Sequence, residues 1–260
     1  MRRPSLRARL AALPLHRLLL FLDYDGTLTP IVRRPCDARL HASVRQVLRR
    51  LARSIPVVIV SGRALSDLRR RVGLPELRYV ACHGLLYQED GSTARWLGRP
   101  APRKTVRSWI RALAAAAAEV PGALIEDKEH SVALHDRAVS PARRRRLRRR
   151  ARQALAPWLR SGAAVLLRGK RVLEARPPGP WNKGTAVARL LKEPWARGRV
   201  PVYFGDDRTD FPAFRVVRGR GLAVRVGGRR DAAGEGAWVP GPATVLSLLR
   251  RLAERSTREP

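Results

Sequence analysis

The sequence predicts an α/β fold: a doubly wound parallel sheet interrupted by an inserted α+β cap. Three observations carry that expectation. Short, continuous apolar runs recur at Leu18-Leu19-Leu20-Phe21-Leu22, Ile55 to Val60, Val200 to Phe204 and Leu222 to Val226, each bounded by turn-forming residues. Such runs read as strands buried on both faces, as parallel strands are when helices cover them. Helical segments alternate with the runs. Near the middle of the chain the order changes to α, β, β, α, β, β, that of a small α+β module.

Taken in order, the first strand is Leu18 to Leu22. Ala38 to Arg53 carries Leu40, Val44, Val47, Leu48 and Leu51 at helical spacing, an amphipathic helix. The strand Ile55 to Val60 ends in Ser61-Gly62-Arg63, Ala64 to Val72 reads as a helix, and Tyr79-Val80-Ala81 begins another short strand. Gly98 to Pro102 breaks the pattern. A helix from about Thr105 to Ala118 follows, then strand-like segments at Ala123-Ile125 and Ser131-His135. An arginine-rich helix spans Pro141 to Leu159, with strands near Ala164-Leu167 and Val172-Glu174, and Pro177-Pro178-Gly179-Pro180 punctuates the exit. The tail resumes the alternation: helix Gly184–Leu191, strand Val200–Phe204, helix Phe211–Val217, strand Leu222–Val226 and a closing helix near Thr244–Leu252. The expected division is a core over 1–100 and 177–260 with a cap over 101–176.

At 260 residues the chain is long enough to bury a real core. Its formal charge of +33 steers anions toward it and favours weak, salt-sensitive contact with nucleic acid. The excess is almost all arginine, spread along the chain. Only five lysines occur (Lys104, Lys128, Lys170, Lys183 and Lys192), so each surviving lysine marks a candidate place for a compact ammonium. Cys36 and Cys82 form no CxxC pair, which leaves no zinc signature and fits a reducing cytoplasm. Met1-Arg2-Arg3 superficially resembles a leader, but no small-residue cleavage site follows the apolar run. No segment approaches the length of a membrane span. A cytoplasmic protein with no membrane partner is expected.

The most informative stretch is Asp23-Tyr24-Asp25-Gly26-Thr27. Two carboxylates at i and i+2 leave the carboxyl end of a buried strand on one side, where open α/β sheets place their ligands. An aspartate can attack phosphorus to form an acyl-phosphate, and a second carboxyl can protonate the leaving oxygen and then activate water. A strand followed by an Asx turn is the plainer alternative. Three further loops follow strands. Ser61-Gly62-Arg63 offers a hydroxyl and free backbone N–H groups at a helix start, an anion site. Lys183 opens the next core helix and can neutralise a phosphoryl oxygen. Gly205-Asp206-Asp207-Arg208-Thr209-Asp210 clusters carboxylates suited to Mg²⁺, with Asp206 the best ligand and Asp207 and Asp210 either ligands or supports.

These four loops, in this order, resemble the motifs of haloacid-dehalogenase-type (HAD) phosphatases, and in detail those of the trehalose-6-phosphate phosphatase family. Leu22 to Pro30, Val60-Ser61-Gly62-Arg63 and Gly205 to Asp210 carry the likeness. So do Glu126-Asp127-Lys128 with His135-Asp136-Arg137, and Gly169-Lys170 leading to Glu174-Ala175-Arg176-Pro177. The resemblance covers roughly residues 18 to 250. It implies a HAD-like, Rossmann-like core with a cap that closes to exclude water, and Mg²⁺-dependent hydrolysis of trehalose 6-phosphate. It assigns Asp23 and Asp25 as catalytic. Ser61, Gly62 and Lys183 then bind phosphate, and Arg63, Glu126, Lys128 and Glu174 bind substrate. Asp23, Asp25, Asp206 and Asp207 are the expected metal ligands. One stretch departs: in Cys82-His83-Gly84-Leu85-Leu86, leucines stand where the family carries an acidic residue, which leaves the exact sugar phosphate open.

Two other readings stay in view. The first is a capped phosphatase for a sucrose-, glucosylglycerol- or mannosylglycerate-type phosphate, with the same core chemistry. The second is a basic nucleic-acid-binding module centred on Arg143 to Arg150. That run lacks interleaved aromatics for base stacking, and Leu147, Ala151 and Leu155 make an apolar stripe beneath a solvated basic face. No specific nucleic-acid partner is expected.

Overall fold

The computed structural model describes residues 4–32, 34–169, 171–228 and 237–256. Along the chain run α1 (Leu6–Ala11), β1 (Leu18–Asp23), α2 (Ala42–Ala52), β2 (Val57–Val60), α3 (Leu65–Val72), β3 (Arg78–Ala81), β4 (Leu86–Gln88) and β5 (Arg95–Trp96). Next come α4 (Arg103–Ala117), β6 (Leu124–Asp127), β7 (Val132–His135), α5 (Pro141–Ala154), α6 (Ala156–Arg160), β8 (Val165–Gly169) and β9 (Val172–Arg176). The chain closes with α7 (Lys183–Leu190), β10 (Val200–Gly205), α8 (Phe211–Val217), β11 (Leu222–Val226), β12 (Ala237–Val239) and α9 (Pro242–Ser256). Contacts divide it into two compact units, Met1–Leu97 with Trp181–Pro260, and Gly98–Pro180.

The first unit is an α/β core. Its sheet has eight strands among the described residues, in the order β12-β11-β10-β1-β2-β3-β4-β5. β12 through β3 pair in parallel, and β4 and β5 turn back antiparallel at one edge. The sequence pattern had not resolved β4, β5 or β12, because strands of two or three residues are too short to show a period.

β1 lies at the centre and every one of its residues is buried. Strand side chains alternate between faces. Leu18, Leu20 and Leu22 join the apolar cluster that includes residues of α2, α3 and α9, while Leu19 and Phe21 join the one that includes residues of α7 and α8. Both faces need apolar side chains, so the strand reads as an unbroken apolar run. By the same parity Asp23 continues the row of Leu19 and Phe21, toward α7. Leu85 and Leu86, which replace the expected acidic residue, are buried in the first cluster.

The second unit is an antiparallel four-stranded sheet, β6-β7-β9-β8. α4 and α5 cover one face, with Val106, Trp109, Leu113, Leu147 and Ala151 packed on Val132, Leu134, Leu173 and Ala175. The expected single helix over Pro141 to Leu159 breaks near Leu155. Pro157 in the first turn of α6 has no N–H to give, and its ring would clash with the preceding turn. The arginines of α5 include structural ones: Arg148 bonds the buried Asp136 carboxylate at 2.5 Å, and Arg144 donates to the Val139 carbonyl at 2.7 Å.

Candidate active site

Parallel strands of the core end together, and the loops leaving them gather the acidic residues. β1 delivers Asp23 and β10 delivers Asp206. A 3-10 turn, Arg208–Asp210, brings back Asp210. One carboxylate oxygen from each of Asp23, Asp206 and Asp210 lies within 4.8 Å of the others. The tight approach depends on Gly26, whose φ is +86°. A Cβ there would stand 2.2 Å from Asp206 Oδ2, so only glycine admits that carboxylate and takes that backbone conformation without strain.

Lys183 enters the same group from the first turn of α7. Asn182 caps that helix: its side chain accepts from Thr185 N at 3.0 Å, and its own N–H donates to Thr185 Oγ1 at 2.8 Å. A cation in a helix's first turn is disfavoured by the helix dipole. Here two carboxylates offset that. Lys183 Nζ donates to Asp23 Oδ1 at 2.6 Å and to Asp210 Oδ1 at 2.7 Å, with Lys183 only 3% exposed. Asp210 has no exposure, and Tyr203 Oη and Asp207 N also donate to it, at 2.8 and 3.0 Å. Thr27 Oγ1 donates to the second oxygen of Asp23 at 3.3 Å.

The electrostatics follow from burial and crowding. Burial opposes the Lys183 charge, but Asp210 and Asp23 overcome it and hold the ammonium well above its ordinary range. Asp23 is pushed up as well, first by burial, against the pull of Lys183 and with repulsion from Asp210 and Asp206. Two partners of one ion pair are thus driven the same way. At 2.6 Å the two groups are in direct contact, and the rise at Asp23 comes first from its burial, with repulsion from Asp210 and Asp206 adding to it. Asp206 is pushed up to about 7 by burial, then by Asp210. Three crowded oxygen donors fit a hard divalent cation, and Mg²⁺ suits that donor set.

Within the core, β2 pairs with β1 so that Val60 registers with Asp23, and the loop after it starts beside that residue. Ser61 is buried at the end of β2, and its hydroxyl accepts from Arg63 N at 3.2 Å. The His83 ring packs on Gly62, where a Cβ would meet it at 2.3 Å. Asp25 lies outside the three-carboxylate group and bonds Arg63 instead. Asp207, expected as a metal ligand, is also outside that group, which Asp210 joins. The sequence leaves Asp210 open as ligand or support. Tyr203 went unnoticed in the sequence. Its signal was a hydroxyl-bearing residue inside the apolar run Val200 to Phe204, on the face that carries Ala186 and Val187 of α7.

The cap unit holds its own polar group on the sheet face opposite α4 and α5. Glu126 registers with Ala133, and Ala133 with Glu174, which sets the two glutamates on one face. Lys128 Nζ donates to Glu174 Oε2 at 2.7 Å and Ser131 Oγ to Oε1 at 2.6 Å. Glu126 pairs with His135 Nε2 at 2.7 Å. Lys170 lies outside the described residues. No described helix is long and apolar enough to cross a membrane.

Comparisons with known proteins agree with this fold and its motifs. The trehalose-phosphatase family model matches residues 21–231. A trehalose 6-phosphate phosphatase of Zea mays is 32% identical over 270 residues, covering 96% of this chain and 74% of that protein. The C-terminal domain of the Candida albicans trehalose-6-phosphate phosphatase superposes with a TM-score of 0.80 at 25% identity, over 97% of this chain and 98% of that one. A haloacid dehalogenase-like hydrolase from Bacteroides thetaiotaomicron shares the fold, with a TM-score of 0.64 at 15% identity over 90% and 99% of the two chains. A strand-end acidic motif on a HAD-type core, matched across four-fifths of the sequence, places this chain in the trehalose-phosphatase family.

Proposed function

We propose that this protein hydrolyses trehalose 6-phosphate to trehalose and phosphate, with Mg²⁺, through an aspartyl-phosphate formed on Asp23. The observation that carries the reading is the buried Asp23 carboxylate at the end of the central strand, with Lys183 on one oxygen and Asp206 and Asp210 beside it. Asp23 attacks phosphorus as the bond to the sugar oxygen breaks, and Asp25 gives that oxygen a proton. Asp25 then takes a proton from water, which attacks the acyl-phosphate, releases phosphate and restores Asp23.

Lys183 spends two N–H bonds on Asp23 and Asp210, and a third remains to give to a phosphoryl oxygen. Ser61 Oγ and the backbone after it, at Gly62, hold the other phosphoryl oxygens. Mg²⁺ would sit on Asp23 and Asp206, with Asp210 beside them, and would offset negative charge on the phosphoryl group. Fixed charges around the reacting group supply most of the catalysis in such transfers. In the cap unit, the Lys128–Glu174–Ser131 group presents donors and acceptors suited to sugar hydroxyls. The second reading, another sugar phosphate, draws support from Leu85 and Leu86, buried where an acidic residue was expected.

The test is phosphate release from trehalose 6-phosphate against sucrose-, glucosylglycerol- and mannosylglycerate-type phosphates, with Mg²⁺ and after chelation. Preference for trehalose 6-phosphate that chelation removes and Mg²⁺ restores is expected. Asp23→Asn should abolish turnover and keep the fold. Substantial turnover by Asp23→Asn would overturn the mechanism, and preference for another phosphate would overturn the substrate. Glu174→Gln should raise KM for the sugar phosphate and leave KM for p-nitrophenyl phosphate unchanged.

A further inference from the structure

Arg63 does not stand free to meet a substrate. Its guanidinium is 5% exposed and four hydrogen bonds occupy it. Nε donates to Asp25 Oδ2 at 2.7 Å and Nη2 to Asp25 Oδ1 at 2.7 Å, a fork on both carboxylate oxygens. Nη1 donates to Asp67 Oδ2 at 2.7 Å, and Nη2 also reaches the Pro35 carbonyl at 2.9 Å. The Tyr24 ring lies beneath the guanidinium, 5.3 Å from its centre. Asp67 is itself braced by Arg70 at 2.8 Å and Arg71 at 2.7 Å, and Arg71 is tied to the Ala38 carbonyl at 2.8 Å. The fork is therefore fixed from behind, and the group it holds is 37% exposed.

We infer that Arg63 is a positioning residue for Asp25, setting the direction of the proton-transferring carboxylate, and not a substrate-binding residue. The inference deepens the phosphatase reading and rests on it. A bidentate guanidinium fixes the plane of a carboxylate as well as its place, which a lysine's point charge does not. Asp25 follows Tyr24 in the chain, beyond the end of β1. An exposed carboxylate there, without a fork, would sample many rotamers. Proton transfer needs one. In the first step the bond from phosphorus to the leaving oxygen breaks, a bond from Asp23 Oδ to phosphorus forms, and the Asp25 proton goes to the leaving oxygen. In the second step a water proton goes to Asp25 as the water oxygen bonds phosphorus and the Asp23–phosphorus bond breaks. Both steps lose rate when Asp25 is misdirected.

A double-mutant cycle on p-nitrophenyl phosphate and phenyl phosphate tests this. The two substrates lack a sugar and differ in how much their leaving oxygen needs a proton. Arg63→Lys should lower kcat on p-nitrophenyl phosphate about 10- to 100-fold, on the scale of losses when a supporting contact to an active group is removed. kcat/KM for that ester should stay within about threefold of wild type, with a stoichiometric burst of p-nitrophenolate, since its first step needs little proton help. Phenyl phosphate should lose kcat/KM as well. In an Asp25→Asn background, Arg63→Lys should add less than about threefold, the mark of two residues acting as a unit.

Additive losses in the cycle, or equal loss of kcat/KM on both esters, would overturn the assignment. A change confined to KM for the sugar phosphate would return Arg63 to substrate binding. Loss of the folded state in both Arg63→Lys and Arg63→Gln, read by circular dichroism, would make it a core support instead. Because the esters carry no sugar, the cycle stands even if trehalose 6-phosphate proves to be the wrong substrate.

Discussion

Lys183 and Asp23, 160 residues apart in the chain, meet at 2.6 Å in a site where the lysine is 3% exposed. Asp210 takes a second bond from the same ammonium. Removing one partner of a buried pair strands the charge of the other, which typically costs about 3–5 kcal/mol. Lys183→Met should therefore lower stability by roughly that amount and abolish phosphate release, as followed by urea unfolding and by assay. Asp23→Asn should leave the midpoint closer to wild type, because a neutral amide still accepts from the lysine. A larger loss for Asp23→Asn than for Lys183→Met would contradict this placing of the charges.

Tyr203 gives its hydroxyl to Asp210, and its ring meets Phe214 edge-on with centroids 5.6 Å apart. Tyr203→Phe keeps the ring and deletes the bond to a charged acceptor, a change worth about 1–3 kcal/mol. A small drop in melting temperature and about a tenfold fall in kcat are expected, the latter through a looser Asp210–Lys183 contact. Unchanged kcat would show that Lys183 needs no such bracing.

Gly26→Ala combines a positive φ with a Cβ placed on the Asp206 carboxylate. Strain of this kind costs about 1–3 kcal/mol before the displacement of Asp206 is counted. Weakened Mg²⁺ activation is the expected signature, read as a raised Mg²⁺ concentration for half-maximal rate. Wild-type magnesium dependence in this variant would argue against Asp206 as a ligand.

Asp67, on the far side of Arg63 from Asp25, offers a pH test read through stability. Burial alone would raise its carboxyl, but bonds from Arg71, Arg63 and Arg70 hold it at about 2, below the ordinary 3.8. A depressed folded-state value means the carboxylate stabilises the fold above the unfolded value and loses that contribution as pH falls. The stability gap between wild type and Asp67→Asn should be constant near neutrality. It should narrow as pH falls from about 4 toward 2, measured by denaturant unfolding across that range. A gap that widened on acidification would refute the sign.

Local physics made much of this protein readable in its amino-acid order. The run Leu18 to Leu22 announces a strand buried on both faces, and Gly26 and the clustered aspartates after β10 announce tight turns rich in oxygen donors. The Leu147, Ala151 and Leu155 stripe beneath the basic helix was equally plain, since a 3.6-residue period needs no distant partner to be seen. Partner choice was not plain. Asp25 and Arg63 are 38 residues apart, and nothing local says that the arginine grips the carboxylate in place of a sugar. The sequence singles out Asp206 as a ligand but leaves Asp207 and Asp210 alike. Only the 3-10 turn that swings Asp210 under Lys183 and Tyr203 separates those two.

Periodicity and turn chemistry are properties of neighbouring residues, so the chain alone determined the longer buried strands, most of the helices and the loops that carry reactive groups, but not the short strands β4, β5 and β12. Which charges face each other depends on strand parity and on which loops end side by side, and the tertiary structure alone decided that. Long-range pairing is settled by packing two apolar faces at once, a constraint that no short window of sequence contains.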